Sequence, residues 1–172
     1  DSVWGVVDGR AKNNSDAGAE ITMWIDGSTT TYNADDGNDA YGKAKGNDLF
    51  KVEFDTNGDI SKLKRFVDEI ESDDELRMAT TGAISGSASL SSNTFKYSGM
   101  TETTSDGKAL ATEEIDDLTI DSDVIIYVMN EDGDWNRGSR SDLRNLKEGD
   151  EVSFYDVADN DGVYDIVIII EQ

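Results

Sequence analysis

The chain has 172 residues, of which 38 are acidic and 15 basic, so its formal net charge is -23 at pH 7. This charge argues against nucleic acid and anionic membrane surfaces as partners, because both require clustered Lys and Arg. Cys and His are absent, which excludes disulfides, zinc sites built from thiolates or imidazoles, and a Ser-His-Asp catalytic triad.

The first 67 residues carry strand and hairpin signals. Residues 3–13 indicate a strand that leads into a polar turn. A hairpin over 19–34 follows, whose centre is Asp26-Gly27, a pair that tolerates the positive φ of a type I′ turn. After a polar connection (35–48), "LFKVEF" and "ISKLKRFV" form a second hairpin about Asn57-Gly58. Four strands joined by short turns are typical of a small barrel or sandwich.

An acidic segment, "DEIESDDELRM" (68–78), separates this half from the next. Its composition disfavours a strand and indicates a linker or a short helix. We therefore expect a first β unit over 1–67 and a second, larger β unit over 79–172.

The second half begins again with β-rich stretches and contains one short helical signal. Ser139 or Ser141 can cap a single helical turn that places Leu143 and Leu146 on one side. The expected strands lie within 79–90, 93–100, 106–114 and 116–130, and the chain closes with "EVSFYDV" and "VYDIVIIIE" as a final hairpin.

Two stretches of the chain resemble each other, one at 45–63 and one at 148–168. Asp48 aligns with Asp150 and Gly58 with Gly162 when the second turn is allowed two extra residues. Matching hairpins at the ends of both halves indicate two copies of one β fold. The sequence thus predicts an all-β chain of two barrel- or sandwich-like units in tandem, with short helical turns.

Clusters of Asp, Asn and Gly are the candidate metal sites. Calcium prefers six to eight oxygen ligands, often at alternate positions of a tight loop. An EF-hand is excluded, because Gly58 precedes Asp59 and Phe66 stands at the twelfth position. The same residue types also form hairpin turns, which is the interpretation that we favour. The candidate calcium ligands are Asp55, Asn57, Asp59, Asn130, Asp132, Asp134, Asp159 and Asp161.

Two further kinds of site are considered, a carbohydrate-binding site and a glycosidase site. Trp4 and Trp24 lie in apolar strands and are expected in the core, whereas Trp135 has polar neighbours and is the candidate for stacking on carbohydrate. Adjacent carboxylates, such as Glu113 with Glu114 or Asp116 with Asp117, point to opposite faces of a strand and make poor acid–nucleophile pairs. We therefore expect no enzyme, and no apolar run reaches membrane-spanning length.

The second half resembles β modules of bacterial cell-surface and S-layer proteins, which often accompany surface-layer-homology domains. The resemblance rests on "VIIYVMNEDGDW", "SRSDLRNLKEGDEVSFY" and "DNDGVYDIVII", and more weakly on "GNDLFKVEFDTNGDISKL" in the first half. It implies an extracellular structural module that contacts neighbouring modules or subunits. The alternatives are a carbohydrate-binding module that binds cell-wall polysaccharide and a hydrolase. The start at Asp1 is typical of an excised or processed segment, so missing targeting signals do not identify a compartment.

Overall fold

The structure is a computed structural model that describes residues 2–8, 12–14, 18–34, 48–70, 73, 75–103, 115–157 and 161–172. Regular structure in these residues is almost entirely strand, with two short helices, so the predicted all-β class is confirmed. The chain divides into two compact units, Asp1–Glu69 and Ile70–Gln172. Each unit has its own sheet and its own apolar core.

Five strands of the first unit form a ring. The sheet order is β1-β5-β6-β4-β3-β2, and β1 also pairs with β3, which closes the ring. All pairings are antiparallel except that of β4 with β6, which is parallel and consists of Ala34 opposite Ile60. The elements are β1 (Ser2–Val7), β2 (Lys12–Asn14), β3 (Gly18–Ile25), β4 (Ser28–Ala34), β5 (Phe50–Phe54), β6 (Ile60–Arg65) and the helix α1 (Phe66–Glu69).

The second unit forms a similar ring of longer strands. Its order is β11-β10-β13-β12-β7-β9-β8, with β10 also paired to β9. The parallel pairing of β10 with β13 extends from Thr119 to Met129, interrupted between Ile120 and Ile125. The elements are β7 (Arg77–Ala83), β8 (Ala88–Ser91), β9 (Thr94–Thr103), β10 (Ile115–Met129), β11 (Trp135–Arg137), the helix α2 (Arg140–Arg144), β12 (Glu151–Asp156) and β13 (Val163–Ile170).

The two rings have the same topology. Strands β1, β3, β4, β5 and β6 correspond in order, neighbours and sense to β7, β9, β10, β12 and β13, and the short strands β2 and β8 occupy equivalent positions. A five-stranded, partly open Greek-key barrel of this kind is the architecture of the OB fold. The shared topology supports the duplication that the repeated hairpins indicate.

The turn residues explain the hairpins. Asp26 and Gly27 have φ of 51° and 79°, so both central residues of the β3–β4 turn are left-handed, as a type I′ turn requires. The β5–β6 and β12–β13 hairpins are also antiparallel pairs. The predicted hairpins are therefore confirmed, whereas the expected strand at 106–114 lies outside the described residues, as does almost all of the connection at 35–48.

Alternating side chains fill each barrel. Phe50 and Val52 of β5 are fully buried in the first core. In the second core, the ring of Phe154 lies 4.9 Å from that of Phe95 and 6.0 Å from that of Tyr164. Burying each such aromatic side chain stabilises the fold by about 2 to 3 kcal/mol, so these side chains hold the sheet faces together.

The short helix α2 lies in the connection between β10 and β12. Ser139 is its N-cap residue, and the Asp142 carboxylate accepts the Ser139 backbone N–H at 2.7 Å. Leu143 is fully buried and Leu146 packs partly against the same core, which confirms the predicted helical turn. Arg140 donates to the Ser92 carbonyl at 2.9 Å and to the Asn93 side chain at 2.8 Å, and so fastens α2 to the β8–β9 turn.

One carboxylate fastens α1 to the first sheet. Lys51 and Lys64 stand opposite each other on β5 and β6, where like charges are unfavourable. Glu69 lies between them, with its carboxylate oxygens 2.9 Å from the Lys51 Nζ and 2.8 Å from the Lys64 Nζ. The hydrogen bond from Lys64 lowers the pKa of Glu69 most, and Lys51 adds to this effect against the opposing effect of burial.

We predict that Glu69→Gln lowers the free energy of unfolding at pH 7 by about 1 kcal/mol, because both lysines lose their shared counter-charge. The pKa of Glu69 is lower in the folded state than the ordinary value of 4.5. Its stabilisation is therefore complete above that value and is lost as the pH falls through the folded-state pKa. Urea unfolding of both proteins at pH 7 and at about pH 3 measures this difference.

Glu53→Gln is the matched control for that change. Glu53 lies 3.7 Å from Lys62, and both side chains are largely exposed, at 42% and 78%. An exposed pair of this kind contributes little, so we expect almost no change in stability. Equal losses in the two variants would contradict the role given to Glu69.

Candidate functional site

The described candidate calcium ligands lie in three separate parts of the chain. Residues 55–59 join β5 to β6, residues 130–134 join β10 to β11, and Asp161 precedes β13. Asp159 lies outside the described residues. The three clusters are therefore far apart along the chain, and each has its own local geometry.

The side chain of Asp55 organises the first turn. Its Oδ1 accepts the backbone N–H of Asn57 at 2.8 Å and that of Asp59 at 3.1 Å. The Asp55 N–H donates to the Asp59 carbonyl at 2.9 Å, and Gly58 has φ of 83°. A left-handed Gly at this position of a hairpin is typical of a type I turn followed by a bulge.

The turn of residues 130–134 repeats this arrangement in the second unit. The Oδ1 of Asn130 accepts the N–H groups of Asp132 and Asp134 at 3.0 and 2.9 Å. Asn130 also donates its backbone N–H to the Asp134 carbonyl at 2.9 Å, and Gly133 has φ of 85°. An amide oxygen in one turn and a carboxylate oxygen in the other therefore accept hydrogen bonds from corresponding backbone N–H groups.

These contacts favour the turn interpretation of the clusters. The oxygens at the first position of both turns already accept two backbone N–H groups, and Asp161 Oδ1 accepts the Val163 N–H at 2.8 Å. Within the described parts of the chain, no three acidic side chains converge in a way that could hold a metal ion. The calcium hypothesis thus gains no geometric support there, while turn chemistry accounts for the residue types.

Trp135 is buried, which corrects the exposure expected from its polar neighbours. Only 5% of the residue is accessible, whereas Asn136 and Arg137 beside it are exposed. The hairpin that starts at Asn130 folds β11 back along β10 and places Trp135 opposite Met129. Trp135 is the buried residue of this three-residue strand, so its indole presents no open face for a sugar ring.

Trp4 and Trp24 are half-buried, not in the core as expected. The Trp4 ring packs 5.4 Å from that of Phe66 in α1. Trp24 donates its indole N–H to the Asp8 carboxylate at 2.9 Å. Both rings therefore have partners within the first unit, in keeping with the need of a tryptophan N–H for an acceptor.

A cavity of about 230 Å³ lies in the second unit beside α2 and was not expected from the sequence. Asp150 in its wall is only 5% exposed, and its carboxylate accepts the Lys147 N–H at 2.8 Å and the Gln172 N–H at 3.2 Å. One oxygen thus stabilises the turn before β12, and the other ties Asp150 to the chain after β13. The sequence signal was the Asp that precedes the last hairpin of each unit, and in the first unit Asp48 instead pairs with Arg65 at 2.9 Å.

The adjacent carboxylates do not form a described catalytic pair. Asp117 is exposed and lies 3.5 Å from the Lys96 Nζ across the β9–β10 ladder. Glu113, Glu114 and the side chain of Asp116 lie outside the described residues. The described part of these pairs is therefore an exposed carboxylate beside a lysine, which gives no geometric support to a glycosidase site.

We predict that Asp55→Ala lowers the free energy of unfolding by about 1 to 2 kcal/mol, because two backbone N–H groups lose their acceptor. Asp55→Asn keeps an oxygen at the same position and should retain most of the stability, as Asn130 does in its own turn. Thermal and urea unfolding of both variants provide the comparison.

Calcium distinguishes a turn from a metal site in the same variants. A calcium site would lose a charged ligand in Asp55→Asn, so any calcium-specific rise in melting temperature would shrink. If the cluster is only a turn, calcium should raise the melting temperature of the wild-type protein and of Asp55→Asn by the same amount. A selective loss of the calcium effect would restore the metal hypothesis at this cluster.

We predict that Trp135→Ala lowers the free energy of unfolding by about 3 kcal/mol, because removing a buried indole leaves a cavity. Asn136→Ala, on the exposed neighbour, should leave stability nearly unchanged. Urea unfolding and retention on insoluble polysaccharide are measured together. Loss of retention in Trp135→Ala with unchanged stability would support the carbohydrate hypothesis instead.

Comparison with known proteins finds no match: no protein-family model, curated protein or solved structure is similar to this chain. Within the described residues, no helix has the length and apolar character needed to span a membrane.

Proposed function

We propose that the chain is a structural and interaction module of a bacterial cell-surface protein of the S-layer type, located outside the cell. The observation that carries this proposal is the tandem repetition of one barrel topology in two units with separate cores. Repeated modules of this kind extend a chain by adding units that each fold around their own core.

The use of the polar clusters supports the proposal. The oxygens of Asp55, Asn130 and Asp161 stabilise turns, and those of Asp150 link the terminal hairpin to its flanks. Side chains committed to backbone contacts serve the fold and leave these residues little freedom for chemistry on a substrate. A scaffold is the function that such commitments fit best.

The charge is suited to an exterior surface. A net charge of -23 keeps a module hydrated and soluble, and attracts cations. Cations at physiological ionic strength screen repulsion between exposed carboxylates beyond about 8 Å. In this proposal cations, calcium among them, act by screening the surface of the module and its contacts with neighbouring modules or subunits.

Carbohydrate binding, the alternative function, has less support than a structural role. The ring on which that alternative depended, Trp135, is buried.

Localisation tests the proposal directly. Antibodies raised against the chain should label intact source cells at their exterior, and surface proteolysis of intact cells should remove the label. Labelling of permeabilised cells alone would refute a cell-surface role. An antibody against a cytoplasmic protein of the same cells provides the control for leakage.

A further inference from the structure

We infer that each barrel unit bears tension along the chain, because a pull on its first and last strands loads the ladders between them in shear. This tension-bearing role gives the proposed surface module a mechanical task, and it rests on that proposal for its biological setting. The strand directions, the registers and the contacts where the chain leaves each unit are the observations that carry it.

In the second unit, the first and last strands flank the same strand and run in the same direction. β7 and β13 both pair with β12, and both pairings are antiparallel. β7 begins at Arg77, opposite Asp156, whereas β13 ends at Ile170, opposite Glu151. The chain therefore enters at one end of β12 and leaves at the other, about 17 Å away given the rise per residue of a strand.

The first unit has the same arrangement about β5. Both β1 and β6 are antiparallel to this strand. β1 begins at Ser2, opposite Glu53, and β6 ends at Arg65, opposite Phe50. Entry and exit again lie at opposite ends of the strand between them, so this geometry is a property of the repeated fold and not of one copy of it.

A pull along the strands strains many hydrogen bonds at the same time. The bonds of an antiparallel ladder are perpendicular to the strands. When two neighbouring strands slide past each other all of these bonds are strained together, whereas separation of the strands at one end breaks them one pair after another. On the other side of the second ring, the ladders that join β7, β9, β10 and β13 are sheared by the same pull. Both routes between the entry and exit strands therefore resist tension.

A repeated aspartate fastens the exit of both units. Asp48 and Asp150 occupy aligned positions just before β5 and β12. The Asp48 carboxylate lies 2.9 Å from the guanidinium of Arg65, the last residue of β6. Asp150 accepts the backbone N–H of Gln172, just after β13, at 3.2 Å. Different contacts thus hold the departing chain to the start of the neighbouring strand in the two units.

Two other contacts continue this fastening beyond the last strand. The Glu171 N–H donates to the Met129 carbonyl at 2.9 Å and so extends the contact with β10 past the end of β13. In the first unit, Glu69 of α1 contacts Lys51 of β5 and Lys64 of β6 at 2.9 and 2.8 Å. Peeling of the last strand from its exit end would have to break these contacts before the ladder bonds.

Single-molecule force spectroscopy on the whole chain tests the tension-bearing role. The sequence has no Cys, so two introduced thiols define the points of attachment. Glu75→Cys with Gln172→Cys pulls the second unit from before β7 and after β13, in shear. Glu148→Cys with Gln172→Cys pulls from before β12 and after β13, at one end of that hairpin. All three positions are exposed, and the bond to Asp150 uses the backbone of position 172 and not its side chain.

The direction of pulling should decide how fast the second unit unfolds. At the same constant force, we expect unfolding at least about tenfold faster from position 148 than from position 75, because the ladder then breaks pair by pair. Each protein loses one exposed glutamate and keeps the same ladders. Equal melting temperatures and circular dichroism spectra would show that any difference in rate arises from the direction of loading and not from stability.

Asp48→Asn tests the exit contact of the first unit when the chain is pulled from its two ends. Loss of the charged partner of Arg65 should raise the unfolding rate of the first unit under load about threefold. The second unit is longer and releases more chain, so its unfolding is recognised separately and serves as the internal reference. Glu53→Gln, which removes the partner of Lys62 near the β5–β6 turn, should leave both rates nearly unchanged.

Equal unfolding rates for the two directions, or faster unfolding from position 75, would overturn the tension-bearing role. Equal effects of Asp48→Asn and Glu53→Gln would overturn the part given to Asp48. Resistance to shear in a chain that is absent from the cell exterior would refute the surface location alone. Exterior labelling together with equal rates in both directions would refute the tension-bearing role alone.

Discussion

Closure of each barrel depends on the last strand of its unit. That strand must pair with its hairpin partner on one side and, in parallel, with a strand from the middle of the unit on the other. β13 does so with β12 and β10, and β6 with β5 and β4. Without this long-range pairing, both units would be open sheets with two free edges. The repeated hairpin near the end of each unit is therefore the element that closes the fold.

The two units differ in how far this closure extends. In the second unit the parallel ladder continues to Met129 opposite Ile170, although a bulge interrupts it. Among the described residues of the first unit, this ladder consists of Ala34 opposite Ile60. A shared topology is thus compatible with parallel pairings of different described length.

Local signals made much of this fold predictable. Asp26-Gly27 and Asn57-Gly58 mark their hairpins because few residues adopt a positive φ, and Leu143 after Ser139 marks the helical turn. The parallel pairing of β10 with β13 could not be read from the sequence, since it joins residues far apart along the chain. Trp135 was the candidate for an exposed ring because of its polar neighbours, but the pairing of β11 with β10 buries the indole although Asn136 and Arg137 are exposed. The sequence showed that Asp150 aligns with Asp48, but it did not predict the backbone contacts that the Asp150 carboxylate makes.

The acidic residues illustrate why composition identifies a cluster without identifying its function. Asp55 and Asn130 begin turns with the same hydrogen-bond pattern, so this kind of turn requires an oxygen acceptor and not a charge. Glu69 is different, because two lysines face it and its negative charge itself holds α1 in place. Carboxylates without such a partner contribute mainly to the net charge, which repels other copies of the chain.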